Sequence, residues 1–178
     1  MTSNQIEVIA GQATCGVEII EDQPEIEALL VPVGGGGLAS GISIAKAHLK
    51  PNIKVYGVSP PCKNLPQLLN SDNPTEYLNK DYSVENIFDG LRATPGVLTL
   101  PIMRELMEKH VLEVSEAEAI ESMRLVWSKL KITAEINSAI VAAALFSDQF
   151  VNLCKINDFR NVGVVITGGN ADISDIRM

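Results

Sequence analysis

One stretch constrains this chain more than any other: Val31-Pro32-Val33, then Gly34-Gly35-Gly36-Gly37, then Leu38-Ala39-Ser40-Gly41. An apolar run, four consecutive glycines and an amphipathic run read as strand, turn and helix. Four glycines open backbone angles that other residues avoid and remove every Cβ from the turn, at a real entropic cost. Several N–H groups can then face one anion, and the following helix adds its unpaired amides and positive dipole end. The pattern predicts a phosphate cradle over Gly34 to Gly37, with Leu38 opening the helix. It is not a P-loop, because no Lys-Ser/Thr follows the glycines, and G-x-G-x-x-G is not its natural spacing. The bland alternative is a tight turn with no ligand.

The rest of the chain fits the same plan. Short β-branched runs alternate with longer amphipathic ones, which predicts α/β with a mainly parallel twisted sheet and helices on both faces. Strands are expected at Leu29–Val33, Lys54–Val58, His110–Val114 and Asn161–Thr167. Helices are expected at Gln12–Gln23, Leu38–Leu49, Pro101–Lys109, from Ser115 to about Leu130, and at Ser138–Phe150. Pro101 would stand first in its helix. Ser115 and Glu118 have capping-box spacing. Residues 70–86 read as a loop with one helical turn. A second glycine turn, Thr167-Gly168-Gly169-Asn170, follows the last strand. It would share the strand carboxyl edge with the first, where open parallel sheets bind ligands.

Composition sets the limits. With 178 residues the chain is one domain, 1–178. Net charge is −8 with no basic block, so nucleic acid and anionic membrane are poor partners. No apolar run reaches the roughly 20 residues that span a bilayer, and the N-terminus carries no leader-like pattern. Cys15, Cys62 and Cys154 are odd in number and scattered, which suits reduced thiols in a cytoplasm. His48 and His110 lack partners at ligand spacing. Cys15 with Ile19, and Trp127 with Met123 and Leu130, read as packing.

Five segments together resemble one family: G-Q-A-T-C-G-V-E-I, V-P-V-G-G-G-G-L-A-S-G, K-V-Y-G-V-S-P, I-F-D-G-L and I-T-G-G-N-A-D-I, in that order. They look like the pyridoxal-phosphate enzymes of the threonine dehydratase and serine racemase group, of fold type II. The resemblance implies that this chain is the cofactor-domain portion of such an enzyme. Gly34, Gly35, Gly36, Gly37 and Leu38 would hold the phosphate of pyridoxal 5'-phosphate, a place that free phosphate or sulfate could also take. Thr167 would hydrogen-bond the pyridine nitrogen, and Gly90 and Glu135 would lie beside the ring. A neutral hydroxyl there leaves a weaker electron sink than an aspartate would. In this family that suits dehydration or racemisation of a hydroxy amino acid such as serine or threonine.

The pattern also breaks. The family's S-x-K-x-R-G lysine motif has no match among the nine lysines (46, 50, 54, 63, 80, 109, 129, 131, 155). Lys46 should point away from the cradle. The family's asparagine loop and catalytic serine are also unmatched, so no residue is assigned a catalytic role. Ala13 replaces a usual glycine. Ser59 stands where racemase-like members carry a cation-binding glutamate, so no metal is assigned. Glu135-Ile136-Asn137-Ser138-Ala139 departs from the usual turn, although Ser138 could cap the next helix. The expected partners are a small amino-acid substrate in the complete enzyme, the N-terminal half of the fold, and further copies of the chain. Activity of the chain by itself is not expected. The competing readings are a non-catalytic anion-binding module, a relic, and a domain kept for its packing alone.

Overall fold

A computed structural model describes residues 3–78 and 87–172. Four strands, β1 (Ala28–Pro32), β2 (Lys54–Ser59), β3 (Leu112–Glu113) and β4 (Val162–Val164), form one parallel sheet in the order β3-β2-β1-β4. Side chains alternate across it as the two-residue strand period requires. Leu29, Val31, Val33 and Val55 enter one buried cluster, while Ala28, Leu30, Tyr56, Val58 and Leu112 enter another. All five residues of β1 are buried. A central parallel strand covered on both faces has this continuous apolar character.

The first face is covered by α1 (Ile6–Asp22), α2 (Gly37–Leu49), α3 (Leu65–Asn70) and α5 (Thr99–Leu106), with the single turn α4 (Thr75–Leu78) beside them. The second carries α6 (Glu116–Leu125), α7 (Ile136–Phe146) and α8 (Asp148–Asn157). Helices α1 and α2 meet at glycines. A Cβ on Gly41 would lie 2.5 Å from the Ala13 amide nitrogen, and one on Gly16 would lie 2.8 Å from the Ala45 Cβ.

Several expected bounds shift. Helix α1 begins six residues earlier than the apolar pattern suggests. Pro101 stands third in α5, not first. The helix expected over 138–150 is two helices broken at Ser147, whose hydroxyl accepts from the Phe150 amide at 3.2 Å. A serine N-cap breaks the run there without glycine or proline. Ser138 does not cap α7, which is entered from Glu135; its hydroxyl donates to Glu135 O and Gly168 O. The Ser115–Glu118 capping box is formed as expected, and α6 runs on as a π turn over Val126–Leu130. Trp127 packs near Met123 and donates to Ala134 O, but Leu130 is 61% exposed and takes no part in that core. Strand β4 is shorter than Asn161–Thr167. Of the expected 70–86 loop, residues 79–86 lie outside the described residues, and α4 supplies the one helical turn. No single described helix is long and apolar enough to cross a membrane.

Candidate functional site

The cradle is built by three segments that β1 and its neighbours deliver to one sheet edge. Strand β1 ends at Pro32, and Gly34 to Gly36 turn the chain into α2 at Gly37. Gly36 has φ +85°, in the left-handed region that disfavours a side chain. Two carbonyls of the turn are held from behind. Thr99 Oγ1 donates to Gly35 O at 2.8 Å, and Lys63 Nζ donates to Gly34 O at 3.2 Å. The amides behave differently. Ser40 N returns to Gly36 O, but among the described residues the N–H groups from Gly34 to Ala39 make no hydrogen bond to the protein. A row of amides with no protein acceptor at a helix start is what an anion requires.

A cleft of about 240 Å³ opens on this row. Gly34, Gly35, Gly36, Gly37, Leu38 and Ala39 form one wall, Gly90 and Leu91 another, and Thr167 a third, with Ser3, Val8 and Gln12 at the side. The volume is below the roughly 300–1,000 Å³ of complete ligand pockets. The approach is close at Gly34, where a Cβ would lie 3.1 Å from Gly90 O.

Gly90 belongs to a 3₁₀ turn (Asp89–Leu91) fixed by a local network. Its amide donates to Asp89 Oδ1 at 2.8 Å and to Asn137 Oδ1 at 3.2 Å, and Asn137 Nδ2 donates to Asp89 Oδ1 at 2.7 Å. The Asn137 bond first, then the Gly90 amide, holds the Asp89 carboxyl below its usual range. Thus α7, through Asn137, positions a wall of the cleft. The sequence pattern gave no signal for this asparagine beyond its place in an atypical turn.

Of the sequence-derived candidates, Gly34 to Leu38, Gly90 and Thr167 come together on the cleft. Glu135 does not line it. It stands behind the second glycine turn, where its amide donates to Gly168 O at 3.0 Å and its carboxyl would meet a Cβ on Gly168 at 2.8–3.0 Å. Gly168 and Gly169 therefore serve packing against residues 133–138, and of that turn Thr167 alone reaches the cleft. Lys46 donates to Pro51 O, away from the cradle, as expected. Ser59 is fully buried and its hydroxyl has no partner, and no cluster of three His, Cys, Asp or Glu occurs among the described residues. A larger groove is lined by residues of α6 and α7, Glu118, Glu121 and Phe146 among them.

Sequence reasoning missed Lys63. It lies in a turn (Pro61–Lys63) after β2, is 3% exposed, and its Nζ bonds Gly34 O, Leu91 O (2.6 Å) and Ala93 O (2.5 Å). Burial pushes its ammonium down to about 8. Nothing in P-P-C-K-N distinguishes it from a surface lysine.

Comparison with known proteins gives a consistent picture. The family described as "Pyridoxal-phosphate dependent enzyme" matches residues 2–168. Serine racemase of Arabidopsis thaliana is 35% identical over 97% of this chain and 51% of its own length. Serine racemase of Dictyostelium discoideum is 38% identical over 97% and 52%. The crystal structure of serine racemase from that organism superposes with TM-score 0.82 at 37% identity, covering 96% of this chain and 52% of that one. The crystal structure of a T.th. threonine deaminase superposes with TM-score 0.80 at 30% identity, covering 96% of this chain and 54% of that one. The chain spans about half the length of the curated relatives it matches.

Proposed function

Because the chain belongs to the pyridoxal-phosphate-dependent enzyme family, we propose that it is the cofactor-binding portion of a lyase or racemase acting on serine or threonine. One observation carries the reading: residues 34–39, whose amides make no hydrogen bond to the described protein, the Gly90 turn and Thr167 line a single cleft at the carboxyl edge of a parallel sheet. The residues fit the cofactor. The amide row and the α2 dipole suit its phosphate dianion, and Thr167 suits a hydrogen bond to its ring nitrogen. When bound, pyridoxal phosphate supplies an electron sink for chemistry at an amino acid's α-carbon. The chain's own residues hold the phosphate, set the ring's orientation from Thr167, and use the Gly90 turn to limit its movement.

The chain by itself is read as inactive. Among the described residues no lysine lines the cleft, and Lys80 lies outside them. With no lysine of the described residues in reach, those residues offer neither an anchor for the cofactor's aldehyde nor a lysine base for an α-proton. The same observation favours a second reading, an anion-binding module without turnover. Competition tests the shared core of both. Pyridoxal phosphate should bind the purified chain, and inorganic phosphate should displace it; binding indifferent to phosphate would contradict the cradle.

A further inference from the structure

Lys63 is a buried cation with no carboxylate partner among the described residues. It takes part in no ion pair among the described residues, and three backbone carbonyls receive its Nζ. An unpaired buried charge is costly to keep unless something offsets the lost hydration. Carbonyl dipoles offset part of that cost. A bound anion close by would offset more, and the cradle begins at one of the three carbonyls.

The geometry is specific about the coupling. Gly34 O and the Gly35 N–H belong to the same peptide unit. A cation on the oxygen polarises that unit and strengthens its N–H as a donor. The other two bonds go to Leu91 and Ala93, on the segment that lies directly against the glycine turn, where a Cβ on Gly34 would lie 3.1 Å from Gly90 O. One ammonium therefore ties the glycine turn to the adjoining segment 91–93. The Nζ is engaged with carbonyls and Lys63 does not line the cleft, so it is not an amine presented to the cofactor.

Resting on the cradle reading above, we propose that Lys63 is a positioning residue of the anion site: its ammonium fixes the spacing between the glycine turn and residues 91–93 and activates the Gly35 amide toward the bound anion. The lowered proton affinity of its amine agrees with a charge held in a dry place.

Two measurements on the full chain test this. The first needs no ligand. In Lys63→Met, hydrogen exchange should quicken at least tenfold at both ends of the tie, at Ser40, whose amide bonds Gly36 O, and at Gly90 and Leu91, while the α7 amides keep their protection. Unchanged exchange at those amides would overturn the proposal. The second is titration with inorganic phosphate. Lys63→Met should weaken binding tenfold or more, and Lys63→Arg, which keeps the charge, should recover a substantial part of it. Equal loss in both variants, with melting temperatures intact, would mean that only packing was removed and would overturn the proposal. If Lys63→Met does not fold, Lys63→Gln takes its place in both measurements with the same expected results. A wild-type chain that binds no phosphate would instead contradict the cradle reading, and the exchange experiment alone would then decide the role of Lys63. Borohydride reduction in the presence of pyridoxal phosphate that labels Lys63 would also overturn the proposal, because it would make the amine a cofactor anchor.

Discussion

Two kinds of residue build the cleft, and they differ in how openly the sequence shows them. The glycine run is plain, because four adjacent residues without Cβ have few uses. Asn137 and Lys63 are not. Their roles come from partners 47 and 29 positions away, and no local pattern carries that information. Asn137 makes a testable claim at this scale. Asp89 has a depressed pKa in the fold, so the stabilisation from its hydrogen bonds is present above the ordinary aspartate value of about 3.9 and is lost as pH falls through the lower folded value. In Asn137→Ala the Asp89 midpoint should rise toward that ordinary value, as read by carboxyl NMR. Stability should fall by about 1 kcal/mol at neutral pH, with the difference shrinking on acidification. An unmoved midpoint would show that the Gly90 amide alone sets the carboxyl.

At the scale of elements, start and stop signals were readable where they are chemical and unreadable where they are tertiary. The Ser115–Glu118 box was formed as its spacing required. Ser147 ended α7 and capped α8 in a sequence that otherwise reads as one helix. The early first turn of α1 ends at the buried Ile9, whose carbonyl lies against Gly41 of α2. That contact depends on Gly16 and Gly41. At Gly41 the atoms in the way are backbone atoms of α1, which cannot move as a side-chain end would. Gly41→Ala should therefore cost about 3 kcal/mol and lower Tm by roughly 6–12 °C in a circular-dichroism melt. A Tm within roughly 1–2 °C of wild type would mean that the helices separate easily. Helix α2 carries the cradle, so this packing also sets where the amide row stands relative to β1.

The whole molecule was legible as a class. Alternating apolar runs foretold a parallel sheet covered on both faces, and the two buried clusters show it. What the pattern could not give was how completely each strand is covered. β1 is buried throughout, whereas Val162 to Val164 of β4 are only half-buried at the sheet's edge. The relatives extend over about twice the length of this chain. Their remaining half is the proposed source of the amine and of the substrate contacts. Purified alone, the chain should release no detectable pyruvate from serine or 2-oxobutyrate from threonine in the presence of pyridoxal phosphate. Robust 2-oxo acid release from contaminant-free protein would place a competent base within these 178 residues.

The central claim is that the glycine turn is an anion site and not merely a tight turn. Gly35 is the sharpest place to test it. Its φ is not in the left-handed region, and an added Cβ would press on the Ser3 side chain, with Ala93 no nearer than 3.5 Å. Gly35→Val should thus leave the sheet and helices intact while filling the cradle. Calorimetric titration of inorganic phosphate and of pyridoxal phosphate into wild type and Gly35→Val is the most direct measurement. The account predicts binding at millimolar affinity or better in wild type, as three or four charge-assisted hydrogen bonds of about 1.5–3 kcal/mol each would leave after ordering costs, and none in a variant with an unchanged melt. Equal affinity in wild type and a folded Gly35→Val would contradict it.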